Sequence, residues 1–347
     1  MKNKVALITG ITGQDGSIMA KFLLKKGYIV HGIKRRISIF NTDRVEEIYQ
    51  DRHDKSVNFF LHYGDITDSL NCLDIIKKTK PDEIYHFAAQ SHVAISFQMP
   101  VYTSTVGTIG TLNILESIRL LKLKKIRFYN AASSEMYGNS KQKKQNEKTI
   151  FEPNSPYATS KLYSYWITKN YRESYKIFAT NGILFNHESE FRGNTFVTRK
   201  ISLFVAKYSS IKKGILYLGN INSKRDWGYA PDYIEGIWKM LQVNEPNDFV
   251  LSTGKNYSVK DFIIEAFKII NIKIKFKGRG LNEIGYDSLT NKTVIKIKKE
   301  YFRPNEVNYL LGKNSKAKKI LKWKPKTNFK NLVKIMVLND KKNISKY

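Results

Sequence analysis

The chain has 347 residues, 41% of them hydrophobic, and a formal net charge of +30. That length and apolar content suffice for a large α/β domain with a smaller lobe, and they exclude a disordered chain. Cys72 is the single cysteine and the six histidines are scattered, so no internal disulfide can form, no metal-ligand spacing stands out, and a reducing compartment is the default.

The positive charge raises a nucleic-acid partner, because Lys and Arg neutralise phosphates and release counterions. The lysines, however, are spread along the whole chain and travel with Ile, Asn, Tyr and Phe, with only a modest concentration in the last third, as at Lys273, Lys275, Lys277 and Lys316, Lys318, Lys319. This is a solvated surface with a compositional bias, so neither nucleic acid nor membrane is expected as a partner, although part of the excess should help with anions. Met1 to Lys4 lead straight into Val5 to Thr9, an apolar run too short for a signal peptide or a membrane span, and a cytoplasmic protein is expected.

Val5 to Thr9 reads as a buried strand. Gly10, Thr12, Gly13, Gln14, Asp15 and Gly16 follow it and open a helical stretch in which Ile18 and Phe22, and Met19 and Leu23, fall four apart. Glycines in that position let the backbone turn and approach a pyrophosphate, while the helix N-terminus supplies N–H groups and positive potential. The spacing is Gly-x2-Gly-x2-Gly, a variant of the dinucleotide fingerprint. A second strand, Tyr28 to Ile33, ends in Lys34-Arg35-Arg36, where an enzyme using NAD would carry an acid for the ribose 2′-hydroxyl. Arg35 and Arg36 can instead hold a 2′-phosphate, which favours NADP.

Phe59 to Tyr63 is the third predicted strand, and Asp65-Ile66 after it are positioned to meet an adenine. A helix with Leu70, Leu73 and Ile76 on one face follows Asp68. The fourth strand, Glu83 to Phe87, runs into Ala88-Ala89-Gln90-Ser91, which would pass close to the phosphates and the nicotinamide ribose. After a helix carrying Ile109, Leu112, Leu115 and Ile118, the fifth strand spans Ile126 to Ala131 and exits through Ser133-Ser134-Glu135. Alternation of strands and helices on this scale predicts a doubly wound parallel sheet of the Rossmann type with right-handed crossovers, whose site assembles at the strand ends.

Tyr157 and Lys161 lie four apart on a predicted helix whose first turn suits Pro156, so they share a face. A neighbouring ammonium, with the positive ring of the cofactor nearby, is expected to lower the phenol's pKa, letting Tyr157 take a hydroxyl proton during oxidation. Glu135 has no obvious task in a simple alcohol dehydrogenase or a sugar epimerase. Beside a hexose already oxidised at C4, whose C5 proton is acidified, it could remove that proton and then, as an acid, assist loss of the 6-hydroxyl. After the sixth strand, Ala179 to Phe185, the pattern becomes irregular. We therefore expect an NADP-binding domain over residues 1–185, and over 186–347 a smaller C-terminal lobe that is mainly substrate-binding and interleaved with returning sheet elements.

Several blocks resemble the GDP-mannose 4,6-dehydratases, extended short-chain dehydrogenase/reductases, over nearly the whole chain. They are Ile8 to Gly16, His31 to Arg36, Ser155 to Ala158 with Lys161, Asn181 to Ser189, Thr195 to Lys200, Arg225-Asp226-Trp227-Gly228 and Tyr301 to Pro304. The resemblance implies oxidation at C4 by NADP, loss of water across C5 and C6, and return of the hydride to C6, giving GDP-4-keto-6-deoxymannose. It implies that Ser133 binds the 4-oxygen, Glu135 is the acid/base, Tyr157 is the oxidation base and Lys161 its partner. Tyr102, His187 and Arg192 match cofactor contacts, together with Ala88, Gln90, Ser91 and Lys161. Ser91, Ser133, Asn186, Val197, Lys200, Gly219, Arg225, Arg303 and Glu306 match substrate contacts, and relatives pair as homodimers or homotetramers.

The chain departs from that pattern at Ser133, where the family usually has Thr, and at Glu190-Phe191-Arg192-Gly193, where it tends to read Pro-Arg-Arg-Gly. Leu281 to Lys298 also looks divergent and is assigned no role. Two other readings are weighed: an NAD(P)-dependent sugar-nucleotide 4-epimerase or reductase, for which Tyr157 and Lys161 suffice, and a non-catalytic nucleotide sensor or nucleic-acid binder on the same scaffold.

Overall fold

Continuous apolar runs bordered by glycine or charge make buried strands, and here they build the first half of the chain in alternation with helices, except that no α-helix is described between the second and third strands and two stand between the fourth and fifth. In the computed structural model, which describes residues 3–38, 41–51, 53 and 56–344 and so leaves Met1 outside, this half comprises β1 (Val5–Thr9), α1 (Gln14–Lys25), β2 (Ile29–Lys34), β3 (Phe59–Tyr63), α2 (Ser69–Thr79), β4 (Glu83–His86), α3 (Val93–Gln98), α4 (Pro100–Leu120), β5 (Arg127–Ser133), α5 (Pro156–Tyr175) and β6 (Phe178–Leu184). Side-chain caps start several of these helices. Asp68 accepts from the Asn71 amide at 3.0 Å and Ser155 from the Ala158 amide at 3.1 Å, with Pro156 in the first turn.

The second half adds β7 (His187–Glu188), α6 (Val197–Ile211), β8 (Leu216–Leu218), β9 (Lys224–Arg225), β10 (Gly228–Tyr229), α7 (Ala230–Met240), β11 (Phe249–Leu251), β12 (Tyr257–Ser258), α8 (Val259–Lys268), β13 (Ile274–Lys277), β14 (Ile284–Asp287), β15 (Thr293–Ile297), α9 (Ser315–Ile320) and α10 (Phe329–Lys342).

Seven strands form one sheet in the order β11-β6-β5-β4-β1-β2-β3, parallel throughout. The order reverses beside β1, whose Ile8 stands opposite Gly32 of β2 on one side and Tyr85 of β4 on the other. That reversal opens a crevice at the carboxyl ends of the strands. The doubly wound α/β architecture expected from the alternation is therefore present, and all six predicted strands occur within one or two residues of their expected limits. The seventh, β11, comes from the far half and pairs Phe249 to Leu251 with Gly182 to Leu184.

A second sheet, β13-β14-β15-β8, packs with α6, α8 and α10 around a separate core that includes Val205, Phe262, Phe267, Val294, Ile295, Leu332 and Met336. The divergent stretch from Leu281 to Lys298 supplies β14 and β15 to this sheet. Arg199 of α6 and Asp340 of α10, both buried, form an ion pair at 2.8 Å, and Ser202 donates to the same carboxylate at 2.6 Å. The short pairs β7–β10 and β9–β12 then carry this half across the open side of the crevice.

Candidate active site

The glycine loop between β1 and α1 leaves no room for side chains. Gly10 has φ +70°, a β-carbon on it would lie 2.9 Å from the Ala88 nitrogen, and one on Gly16 would lie 2.3 Å from the Gly10 carbonyl oxygen. Gly13 caps α1 without a side chain, so the first-turn N–H groups and the positive end of the helix dipole face the crevice bare. This cradle fits the pyrophosphate of a dinucleotide. Gln14 fixes it from behind, donating to the His187 carbonyl at 3.1 Å and to Asp15 at 3.0 Å while accepting from Ser189 at 2.9 Å.

At the end of β2, Lys34 and Arg35 line the cleft beside Tyr102, whose hydroxyl accepts from the Arg35 guanidinium. Arg36 does not join them, because its guanidinium turns to the Ile37 carbonyl at 2.7 Å. Asp65, Ile66, Ala88 and Ser91 line the same wall. Gln90, expected there, is spent on its own loop: it donates to the His92 carbonyl at 3.1 Å and to Thr103 at 3.3 Å, and accepts from the His92 amide.

Ser133, Glu135, Tyr157 and Lys161 converge where β5 ends against α5, each no more than 8% exposed. Ser133 accepts from the Glu135 amide at 3.2 Å and shares a hydrogen bond with the Tyr157 hydroxyl. The chain's own groups do not lower the Tyr157 pKa by themselves. Burial pushes the phenol up to about 12, and the Ser133 hydrogen bond is the leading influence in the other direction. Lys161 instead donates to the Ala131 carbonyl at 2.8 Å, and burial brings its own pKa down to about 8, opposed by the Asp15 carboxylate. Asp15 in turn meets His187 at 2.8 Å.

The opposite wall is cationic. Arg225, on β9 and 6% exposed, places Nε 3.7 Å from Oε1 of Glu135 and Nη2 3.2 Å from Oε1 of Glu306. Arg303 approaches the same Glu306 oxygen at 3.5 Å, with its Nη1 buried and making no hydrogen bond. Lys200 donates to the Tyr217 carbonyl at 2.7 Å and lies 3.8 Å over the Tyr301 ring. Val197 lines this side. At Gly219 a β-carbon would stand 2.3 Å from the Tyr301 carbonyl. The Asn186 side-chain oxygen is buried without a hydrogen-bond partner, an acceptor left to a ligand. Arg192 is held by Glu188 at 3.1 Å and lies 3.7 Å over the Phe196 ring.

Sequence reasoning missed Glu188, which orients Arg192, and Ser223, whose buried hydroxyl lines the cleft without a partner. It also missed Asp226, whose carboxylate accepts from the Thr253 amide (2.7 Å), the Thr253 hydroxyl (2.6 Å), the Gly254 amide (2.9 Å) and the Gly312 amide (3.3 Å), anchoring the strand that carries Arg225. Glu188 and Asp226 gave a signal, inside the Asn181 to Ser189 and Arg-Asp-Trp-Gly blocks, and Ser223 gave none. The walls enclose one cleft of about 940 Å³. Among the described residues no three His, Cys, Asp or Glu side chains gather as a metal set, and no helix is long and apolar enough to cross a membrane.

The fold is shared with solved sugar-nucleotide enzymes. A UDP-glucose 4-epimerase from Thermotoga maritima superposes with a TM-score of 0.81 at 20% identity, over 98% of this chain and 99% of that one. A dTDP-glucose 4,6-dehydratase from Bacillus anthracis, solved with NAD, superposes with a TM-score of 0.80 at 20% identity, over 99% and 98%. The sequence relatives are much nearer. The chain is 53% identical to the GDP-mannose 4,6-dehydratase of Sinorhizobium fredii, over 97% of this chain and 96% of that protein, and 51% identical to the GDP-mannose 4,6 dehydratase of Drosophila melanogaster, over 98% and 86%. A family model described as GDP-mannose 4,6 dehydratase matches residues 7–336, and with these relatives it shows that the chain belongs to the GDP-mannose 4,6-dehydratase family.

Proposed function

We propose that this chain converts GDP-mannose to GDP-4-keto-6-deoxymannose with NADP as its cofactor. The observation that carries the reading is the meeting of Glu135 with Ser133, Tyr157 and Lys161 at one strand end, opposite a cationic wall that includes the buried Arg225. When bound, the nicotinamide supplies a hydride acceptor for C4 of the sugar and a hydride donor for C6.

The chain's own groups handle the protons. Ser133 holds the 4-oxygen, and Tyr157 takes the proton of the 4-hydroxyl, with Lys161 beneath it as the compensating charge. Glu135 removes the C5 proton and delivers it to the departing 6-hydroxyl, so that one water leaves and the carboxylate is regenerated; when the hydride returns to C6, C5 takes a proton back, balanced by the one Tyr157 took from the 4-hydroxyl. Arg225, Arg303 and Lys200 hold the diphosphate, while Glu306 and Asn186 offer acceptors to ribose hydroxyls. Arg35, facing the cleft at the end of β2, selects the 2′-phosphate of NADP over NAD.

In this reading residues 1–185 hold the cofactor and residues 186–347 mainly the sugar nucleotide. The chain pairs with a second copy through the outer faces of α4 and α5, where Val101, Ile109, Tyr163 and Trp166 are exposed. It works in the cytoplasm.

The test is incubation with GDP-mannose and catalytic NADP, followed by mass spectrometry, in parallel with Glu135→Gln. The expected result is loss of about 18 mass units without net NADPH accumulation, abolished in the variant. Epimerisation without loss of water, undiminished in the variant, would instead establish the 4-epimerase reading.

A further inference from the structure

Both ring nitrogens of His187 face oxygens. Nδ1 lies 2.8 Å from the carbonyl oxygen of Phe185, and Nε2 lies 2.8 Å from Oδ2 of Asp15. A carbonyl oxygen has no proton to give, and neither has an ionised carboxylate, so each contact is a hydrogen bond only if the ring nitrogen brings the proton. A neutral imidazole has one N–H, and two are needed. The other Asp15 oxygen is also an acceptor, taking a hydrogen bond from Gln14 at 3.0 Å. We propose that Asp15 is a positioning residue that keeps His187 doubly protonated through the neutral pH range, and that the resulting imidazolium is a fixed cation on the dinucleotide wall of the cleft.

The surroundings agree. From α7 the Tyr233 ring stacks on His187 at 5.0 Å and 18°, the geometry of a cation over an aromatic face. From the loop after β7 comes one opposing charge, Arg192. Glu188, next in the chain, is already committed to Arg192 and Thr198. From α5, Tyr157 and Lys161 both feel the Asp15 carboxylate. Burial alone would strip the ring of its second proton, but the Asp15 charge and hydrogen bond outweigh burial and raise the His187 pKa. Burial likewise disfavours the Asp15 anion, and His187 reverses that, so its pKa is lowered.

The pair has a function beyond its own stability. Asp15 belongs to the first turn of α1, where a cofactor phosphate would bind, and an unpaired carboxylate there would repel it. With His187 charged, the two cancel, and the positive end of α1 keeps its field. This second step rests on the proposed reading of the cleft as a dinucleotide site, whereas the charge state of the ring does not.

Nitrogen-15 NMR of the histidine rings in the full chain tests the charge state directly. Both His187 nitrogens should carry protons from pH 6.5 to 8, and in Asp15→Asn one proton should be lost across that range. NADP affinity measured by calorimetry should change less than about threefold between those pH values in the wild type, and should fall by about tenfold toward pH 8 in Asp15→Asn. His187→Gln, with nothing to titrate, should bind more weakly but with no such slope. A wild-type ring with a single N–H at pH 7.5 would overturn the proposal, and so would an Asp15→Asn chain whose affinity is as flat as the wild type's. Failure of the wild type to bind NADP while its ring stays doubly protonated would support the ion pair and sink the cofactor reading instead.

Discussion

Glu135 and Arg225 come within 3.7 Å of each other across the cleft, one from the turn that ends β5 and the other from β9, ninety residues later in the chain. Neither side chain is more than 10% exposed, and Arg225 is shared with Glu306 at 3.2 Å. One guanidinium therefore compensates two carboxylates at the point where the two halves of the molecule meet. Removing one member of a buried ion pair leaves the other charge stranded, at a penalty of about 3–5 kcal/mol. Arg225→Met should lower unfolding stability by that order in urea titrations. Combining it with Glu135→Gln should recover part of the loss, and simple additivity of the two changes would show that the pair is not coupled.

Lys161 should stabilise the fold least where it is needed most. Its pKa is down to about 8 through burial, against an ordinary 10.5. Below pH 8 folded and unfolded chains both hold the proton, and the folded state bears the full penalty. Between pH 8 and 10.5 only the unfolded chain still holds it, so the folded state loses that penalty and stability rises with pH. Lys161→Met, after forfeiting the Ala131 hydrogen bond, should be more stable than the wild type by about 1–3 kcal/mol at pH 7, with the advantage shrinking by pH 9.5. Its turnover should drop by about two orders of magnitude or more. Equal stability at both pH values would contradict the burial effect.

Two glycines of α1 and its exit should separate cleanly on substitution. At Gly16 an added methyl would stand 2.3 Å from backbone, whereas at Gly27 it would meet nothing within 4 Å and would suffer only a φ of +79°. Gly27→Ala should therefore cost about 1 kcal/mol of stability and leave cofactor affinity unchanged. Gly16→Ala should cost more than about 2 kcal/mol and weaken NADP binding severely, since the loop itself must move. Calorimetric titration of both variants decides.

Arg35 and Arg36 are adjacent in sequence but not in effect. Because Arg35 faces the cleft beside Tyr102 while Arg36 is tied to the Ile37 carbonyl, Arg35→Ala should reduce the preference for NADP over NAD by about tenfold or more, and Arg36→Ala by about threefold or less. Equal losses would show that both reach the 2′-phosphate.

Much of this was legible beforehand. Parallel strands buried on both faces write themselves as unbroken apolar runs, and the site residues Gly10 to Gly16, Ser133, Glu135, Tyr157 and Lys161 follow directly at strand ends or on one helical turn. What was hidden depends on distance or direction. Three residues, Phe249 to Leu251, carry no period. Nothing local in Arg225 announces Glu135, and Gln90 and Arg36 turn away because a neighbouring carbonyl is nearer than the cleft. The rise of the Tyr157 pKa follows from a depth of burial that no spacing encodes.

The position of β11 bears on how the chain is made. Strand β6 is synthesised well before the strand that covers it, and Asp248, which receives Arg172 at 2.8 Å and Asn181 at 3.0 Å, arrives only with that later segment. A nascent chain halted anywhere between Leu184 and Asp248 would present a bare sheet edge and an uncompensated arginine on the ribosome, the features that invite strand-to-strand aggregation. The first half therefore completes its sheet only after part of the second has emerged, and a piece ending at Leu184 would carry the bare edge of β6.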